Sequence, residues 1–154
     1  MIPALADTNP RLVPMDGATL DKVRRLESAL STQPQVAIRT AHTIHGGMYA
    51  RTIRIPAGAV LTGALIKRAT MLVVSGDVSI FTGGDTIELR GYHVVPASAG
   101  RKQVFYAHAD TDLTMLFPSS AATVEEAEAE FTDEGHLLMS RQCADLDSVT
   151  ITGE

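Results

Sequence analysis

Apolar residues follow two different patterns along this chain. Between Asp16 and Leu30, the residues Leu20, Val23, Leu26 and Leu30 fall three or four apart, with Asp21, Lys22, Arg24, Arg25 and Glu27 between them. That spacing puts one apolar stripe on a short helix, which Pro34 prevents from continuing. Beyond Val36 the pattern changes to short runs punctuated by Gly, Pro and Asp. Short apolar runs rich in β-branched residues predict strands over 36–39, 48–55, 60–65, 70–75, 77–81, 86–89, 93–95, 103–108 and 113–117. Turn signals separate them, notably Gly46-Gly47, Pro56-Ala57-Gly58, Ser75-Gly76-Asp77, Gly83-Gly84-Asp85 and Asp110-Thr111-Asp112.

The two ends read differently. Pro3, Pro10 and Pro14 mark residues 1–15 as an extended arm. Past Pro118, Thr123 followed by Glu126 forms a capping box that opens an acidic helix to about Phe131. Residues after Gly135 read as a weakly structured tail with a last strand near 149–152. Many short strands without intervening helices argue for a sandwich or barrel rather than βαβ units. The chain thus divides into an arm and helix (1–35), a β-barrel (36–118) and a C-terminal helix and tail (119–154), expected to form one globular domain at 154 residues.

The order of these signals carries a resemblance. Ile55-Pro56-Ala57-Gly58, a run to Ser75-Gly76-Asp77, then Gly91-Tyr92-His93-Val94-Val95-Pro96 leading to Gly100 and a Gln103-Val104-Phe105 strand resemble the paired motifs of the cupins. Gly47-Met48-Tyr49-Ala50-Arg51 running into Ile53-Arg54-Ile55 resembles small cupin-like proteins of bacteriophages and prophages. The resemblance implies a mostly β fold, a double-stranded β-helix or jelly-roll barrel. It also implies a metal site that the residues do not supply. Cupin metal chemistry needs a His-x-His pair and a Glu in the first motif and a His in the second, and the stretch Gly63 to Thr70 has neither His nor carboxylate. Arg101 to Gln103, where the second motif would place its ligand, likewise offers no imidazole. No metal and no cofactor are therefore expected. His42 and His45, read as part of a loop, would have to meet His93 or His108 at the barrel mouth to build a substitute site.

Charge narrows the function. The formal net charge of −5 gives no global attraction to nucleic acid or to an anionic membrane. No apolar run reaches the roughly 20 residues needed to span a bilayer. The lone Cys143 requires no oxidising compartment, so a cytoplasmic location is expected. Charge is unevenly distributed, however. No acid occurs between Glu27 and Asp77, where Arg39, Arg51, Arg54, Lys67 and Arg68 lie. From Thr123 onward Glu125, Glu126, Glu128, Glu130, Asp133, Glu134, Asp145, Asp147 and Glu154 face only Arg141. Two readings compete: the acids and bases pair across the fold, or the middle of the chain builds an anion-binding cavity.

Arg51 concentrates that question. Strict alternation puts it on one face with Tyr49, Ile53 and Ile55, so if that face is inward its guanidinium enters the barrel and needs a distant acid, carbonyl groups or a ligand anion. The candidate ligand-binding set is Arg51, Lys67, Gln103 and His108, with no catalytic residue assigned. The leading function is a non-enzymatic accessory protein holding a small anion in a metal-free barrel, with self-association through the arm and the apolar helix stripe. The alternatives are a metal-independent isomerase or lyase, using His93 or His108 as acid/base and Arg51 as clamp, and a structural virion or assembly component. Phosphate loops, nucleophile elbows and zinc-protease motifs are absent from the sequence.

Overall fold

A computed structural model of the protein describes residues 10–154, so the first part of the arm expected over 1–15 lies outside the described residues. Helix α1 (Gly17–Leu30) forms where the apolar stripe predicts it. Asp16 caps it, accepting the Thr19 N–H at 2.8 Å. Val23 is the buried residue of its stripe and Leu26 stays exposed. Before it, Leu12 is fully buried and its backbone bonds to Pro96 and Ser98, which ties residues 10–15 to the barrel.

Eight strands follow: β1 (Arg39–His45), β2 (Met48–Ile55), β3 (Val60–Thr62), β4 (Thr70–Phe81), β5 (Thr86–Ala97), β6 (Val104–Ala107), β7 (Thr111–Pro118) and β8 (Asp147–Ile151). The sheet runs β3-β6-β4-β7-β2-β1-β8, with β5 along the other side of β4. It is mostly β and curled into a half-barrel, with one helix before it and small helices after it, the mostly β class expected from the sequence.

The curl originates at a residue read as a turn. Ser75-Gly76-Asp77 is not a hairpin: β4 passes straight through it, paired throughout with β5. Residues 71–75 of β4 pair with β7 and residues 78–81 with β6, so the strand changes partner at Gly76. Gly76 has φ 151°, and a Cβ there would lie 2.7 Å from the Thr111 Cα. Only glycine allows β7 to cross so close, and Thr111 Oγ1 seals the corner by accepting the Asp77 N–H at 3.1 Å. Opposite it in β5 sits Gly91, so both strands of the ribbon bend together.

The other departures are at the two edges. His42 and His45 lie in β1, not in a loop, because the chain turns only at Gly46-Gly47, both with positive φ as a two-residue hairpin requires. The tail after Gly135 is more ordered than its composition suggests. A 3₁₀ turn (Gly135–Leu137), a short helix (Met139–Gln142) and a second 3₁₀ turn (Ala144–Leu146) lead to β8, which joins the β1 edge in parallel. Helix α2 (Val124–Phe131) starts at the expected cap, Thr123 accepting the Glu126 N–H at 3.2 Å, while the Glu126 carboxylate reaches Ala122 instead of Thr123. Phe131 brings α2 onto the barrel, its ring 6.3 Å from Tyr49 and 6.2 Å from Phe117. Among the described residues no helix is long and apolar enough to cross a membrane.

Candidate functional site

The curled sheet encloses a cavity of about 150 Å³ beneath the C-terminal segment. Leu61, Leu72, Phe105, Leu113 and Met115 give it apolar walls, and Phe131 with Leu137, Leu138 and Met139 closes the remaining side. Its polar lining comprises Arg51, Arg101, Lys102 and Gln103, together with Thr62, Glu27 and Glu134. In β2, Tyr49, Arg51 and Ile55 are buried while Arg54 is exposed, so the alternation does turn Arg51 inward.

Most of these charges are already spent. Arg51 donates to Glu128 at 3.3 Å, and Glu128, 3% exposed, also accepts from Ser140 and from Arg141 at 3.0 Å. The Lys102 ammonium lies 2.8 Å from Glu27 and 3.6 Å from Glu134, and donates to the Gly63 carbonyl. Outside the cavity, Lys67 meets Asp133 at 2.6 Å, Arg68 lies 3.6 Å from Glu130, and Arg24 meets Glu134 at 3.1 Å. The acidic segment therefore lies across the basic one. Pairing, rather than a field of free positive charge, accounts for the asymmetry around Arg51, Lys67 and Arg68.

Arg101 is the exception. Its side chain is 3% exposed, yet its guanidinium meets no carboxylate among the described residues. Nη1 donates to the Ser98 carbonyl at 2.7 Å and more weakly to Arg68 at 3.4 Å. Nη2 donates to Thr70 Oγ1 at 2.8 Å and to the Met115 thioether at 3.9 Å. Burial without a counter-charge pushes its pKa down to about 10. The position is fixed by backbone bonds between Arg101 and Ile66 and between Gly100 and Ile66. Two residues on, the Gln103 side chain is 4% exposed and its Nε2 has no hydrogen-bond partner. A lone buried cation and an unused buried amide donor thus line one apolar cavity.

A second polar group is buried beside this one. His42 Nδ1 lies 2.8 Å from the Tyr49 hydroxyl and Nε2 lies 3.5 Å from Asp147. With Nε2–H directed at Asp147, Nδ1 accepts the Tyr49 proton. Burial, then the nearby Arg51, lowers the His42 pKa, while burial raises that of Asp147 and pushes Tyr49 up to about 12. Thr40 Oγ1 and Asp147 Oδ1 are buried without partners.

Of the four residues expected to bind a ligand, Arg51 and Gln103 line the cavity, whereas Lys67 and His108 do not. Lys67 is on the surface with Asp133. His108 is half-exposed on the far side, its Nε2 2.7 Å from Ser79 Oγ and 3.5 Å from Glu88. His93 bonds to the Arg90 carbonyl, so neither imidazole considered as an acid/base faces the cavity. Arg101 is outside the expected set, although its sequence signal is its position, at the start of the Arg101 to Gln103 stretch where the resemblance would place a ligand.

The lining also does not fit a cupin-type metal. Thr62, Gly63, Ala64 and Ile66 occupy the first-motif wall without an imidazole, and the two carboxylates present both lie against Lys102. Among the described residues no three of His, Cys, Asp and Glu come together as a ligand set.

Comparison with known proteins finds no matching family model and no matching curated protein. Solved structures with some likeness include a salicylate 1,2-dioxygenase from Pseudoaminobacter salicylatoxidans in adducts with gentisate. It is 16% identical, with TM-score 0.46 over 84% of this chain and 40% of that one. KdgF from Halomonas sp. is 18% identical, with TM-score 0.46 over 58% of this chain and 86% of the other. The Cupin_2 domain of an XRE family transcriptional regulator from Enterobacter cloacae is 13% identical, with TM-score 0.45 over 54% and 99%. The chain spans about two fifths of the dioxygenase's length.

Proposed function

We propose that this protein binds a small anion inside its barrel without a metal, Arg101 supplying the charge and Gln103 a neutral donor. The observation that carries the reading is the Arg101 guanidinium, buried and lining the cavity, whose partners among the described residues are carbonyls, one hydroxyl and a thioether. A charge withdrawn from water costs several kcal/mol unless an opposite charge compensates it. Arg51 and Lys102 have that compensation within the chain; Arg101 is left for a ligand to complete. Arg51 supports the site differently from its expected role, since its contact with Glu128 holds the closing segment over the cavity.

The test is isothermal titration of the purified protein with a series of small anions, with Arg101→Gln as the control. Heat from one of them that disappears in the folded variant is the expected result; a series without heat removes the reading.

A further inference from the structure

The walls around Arg101 say more than that an anion enters. Resting on the anion-binding reading, we infer that the ligand is a small monocarboxylate with an apolar body, a single ring or a short branched chain, and not a phosphate, sugar phosphate or nucleotide.

Charge sets the first limit. Glu128 takes Arg51, and Glu27 with Glu134 takes Lys102, so among the described residues Arg101 is the cavity-lining cation that meets no carboxylate. A phosphate monoester carries close to two negative charges near neutral pH, and a single guanidinium would leave part of that charge buried and unpaired. One carboxylate balances it.

Donor geometry sets the second. Of the Arg101 contacts, the one from Nη2 to the Met115 sulfur at 3.9 Å is the weakest, and Met115 is itself a cavity wall. An oxygen acceptor entering there would replace a poor acceptor with a good one. The Gln103 amide offers a second N–H that has no partner. Two donors, one charged and one neutral, suit the two oxygens of a carboxylate.

Size and polarity set the third. An apolar cavity of roughly 150 Å³ takes a benzene-sized molecule, which excludes a nucleotide. Past the two donors the walls are Ile53, Leu61, Leu72, Phe105 and Leu113. Hydroxyls placed against them would be buried without partners, whereas hydrocarbon would gain from leaving water.

The experiment titrates the full chain with cyclohexanecarboxylate, its neutral isostere cyclohexanecarboxamide, inorganic phosphate and adenosine monophosphate. Cyclohexanecarboxylate is expected to bind, with the carboxamide and Arg101→Gln each weakening binding by about ten-fold or more, as loss of a charged hydrogen bond implies. Melting curves establish that the variant is folded. If it is not, Gln103→Leu, which keeps the cation, is expected to weaken binding several-fold, and equal affinity in that variant overturns the proposal. Phosphate or the nucleotide binding in an Arg101-dependent way, with the carboxylate inert, would leave an anion site standing and overturn the ligand class. No binding by any anion overturns both. Carboxylate affinity unchanged in a folded Arg101→Gln protein also sinks the assignment.

Discussion

The Arg51 guanidinium and the Glu128 carboxylate, 77 residues apart in the chain, meet at 3.3 Å in the interior. One comes from the middle of β2, the other from α2. Their contact fastens the C-terminal segment across the open side of the half-barrel and supplies the acid that the sequence around Arg51 lacks.

Removing that acid should therefore be costly. Glu128→Gln leaves Arg51 buried without its charge partner and withdraws the contact to Arg141, and a loss of about 3–5 kcal/mol is expected from a broken buried pair. The joint variant Arg51→Met with Glu128→Leu should lose less than Glu128→Gln alone, because no uncompensated charge remains. Urea denaturation of the three proteins checks both statements.

Lys67 gives the contrast. Its contact with Asp133 is short, but the Asp133 side chain is 85% exposed, and exposed pairs contribute about 0–1 kcal/mol. Lys67→Ala should shift the denaturation midpoint little and leave anion affinity unchanged. A fall in affinity matching that of the Arg101 variant would return Lys67 to the site.

Gly76 tests the fold at its bend. Alanine there must adopt a left-handed backbone and place Cβ 2.7 Å from the Thr111 Cα. A cost of about 1–3 kcal/mol or more is expected, as for other overpacked sites. Gly84→Ala, where no atom lies within 4 Å of the new Cβ and φ is not in the left-handed region, should be nearly neutral by comparison in thermal melting.

The buried His42 predicts a pH dependence. Its folded pKa lies below the ordinary 6.5, since burial and Arg51 disfavour the imidazolium. The unfolded chain therefore takes up the proton first. The His42 contribution is fully present above about pH 6.5 and is lost as pH falls through that value toward the folded pKa. Asp147, raised by burial, works in the opposite sense: its share is present below its ordinary value of 3.8 and is lost as pH rises through its folded pKa. Between pH 7 and pH 5 stability should fall in the native protein and fall less in His42→Gln, as read by denaturation at each pH.

These features differ in how far the sequence could reveal them. The β2 strand was legible to its ends because turn signals, Gly46-Gly47 before it and Pro56-Ala57-Gly58 after it, bound a run rich in apolar and β-branched residues. Thr123 was legible as a cap because capping is local. Gly76 was not, since Ser-Gly-Asp is a turn signal and only the crossing of β7, 35 positions on at Thr111, makes it a bend within a strand. The same distance problem hid Glu128 from Arg51, although the excess of acids after Thr123 pointed to the segment. Arg101 was hidden differently: its place in the second motif was legible, but its burial depends on Ile66, Thr70 and Met115, which lie far from it in sequence and leave the cation without a carboxylate among the described residues.

The most direct measurement is a crystal structure of the protein grown with cyclohexanecarboxylate. The carboxylate is expected within hydrogen-bond distance of Arg101 Nη2 and Gln103 Nε2, with its ring between Leu72, Phe105 and Leu113. Ligand density only on the outer surface, with the cavity filled by water around Arg101, would contradict it.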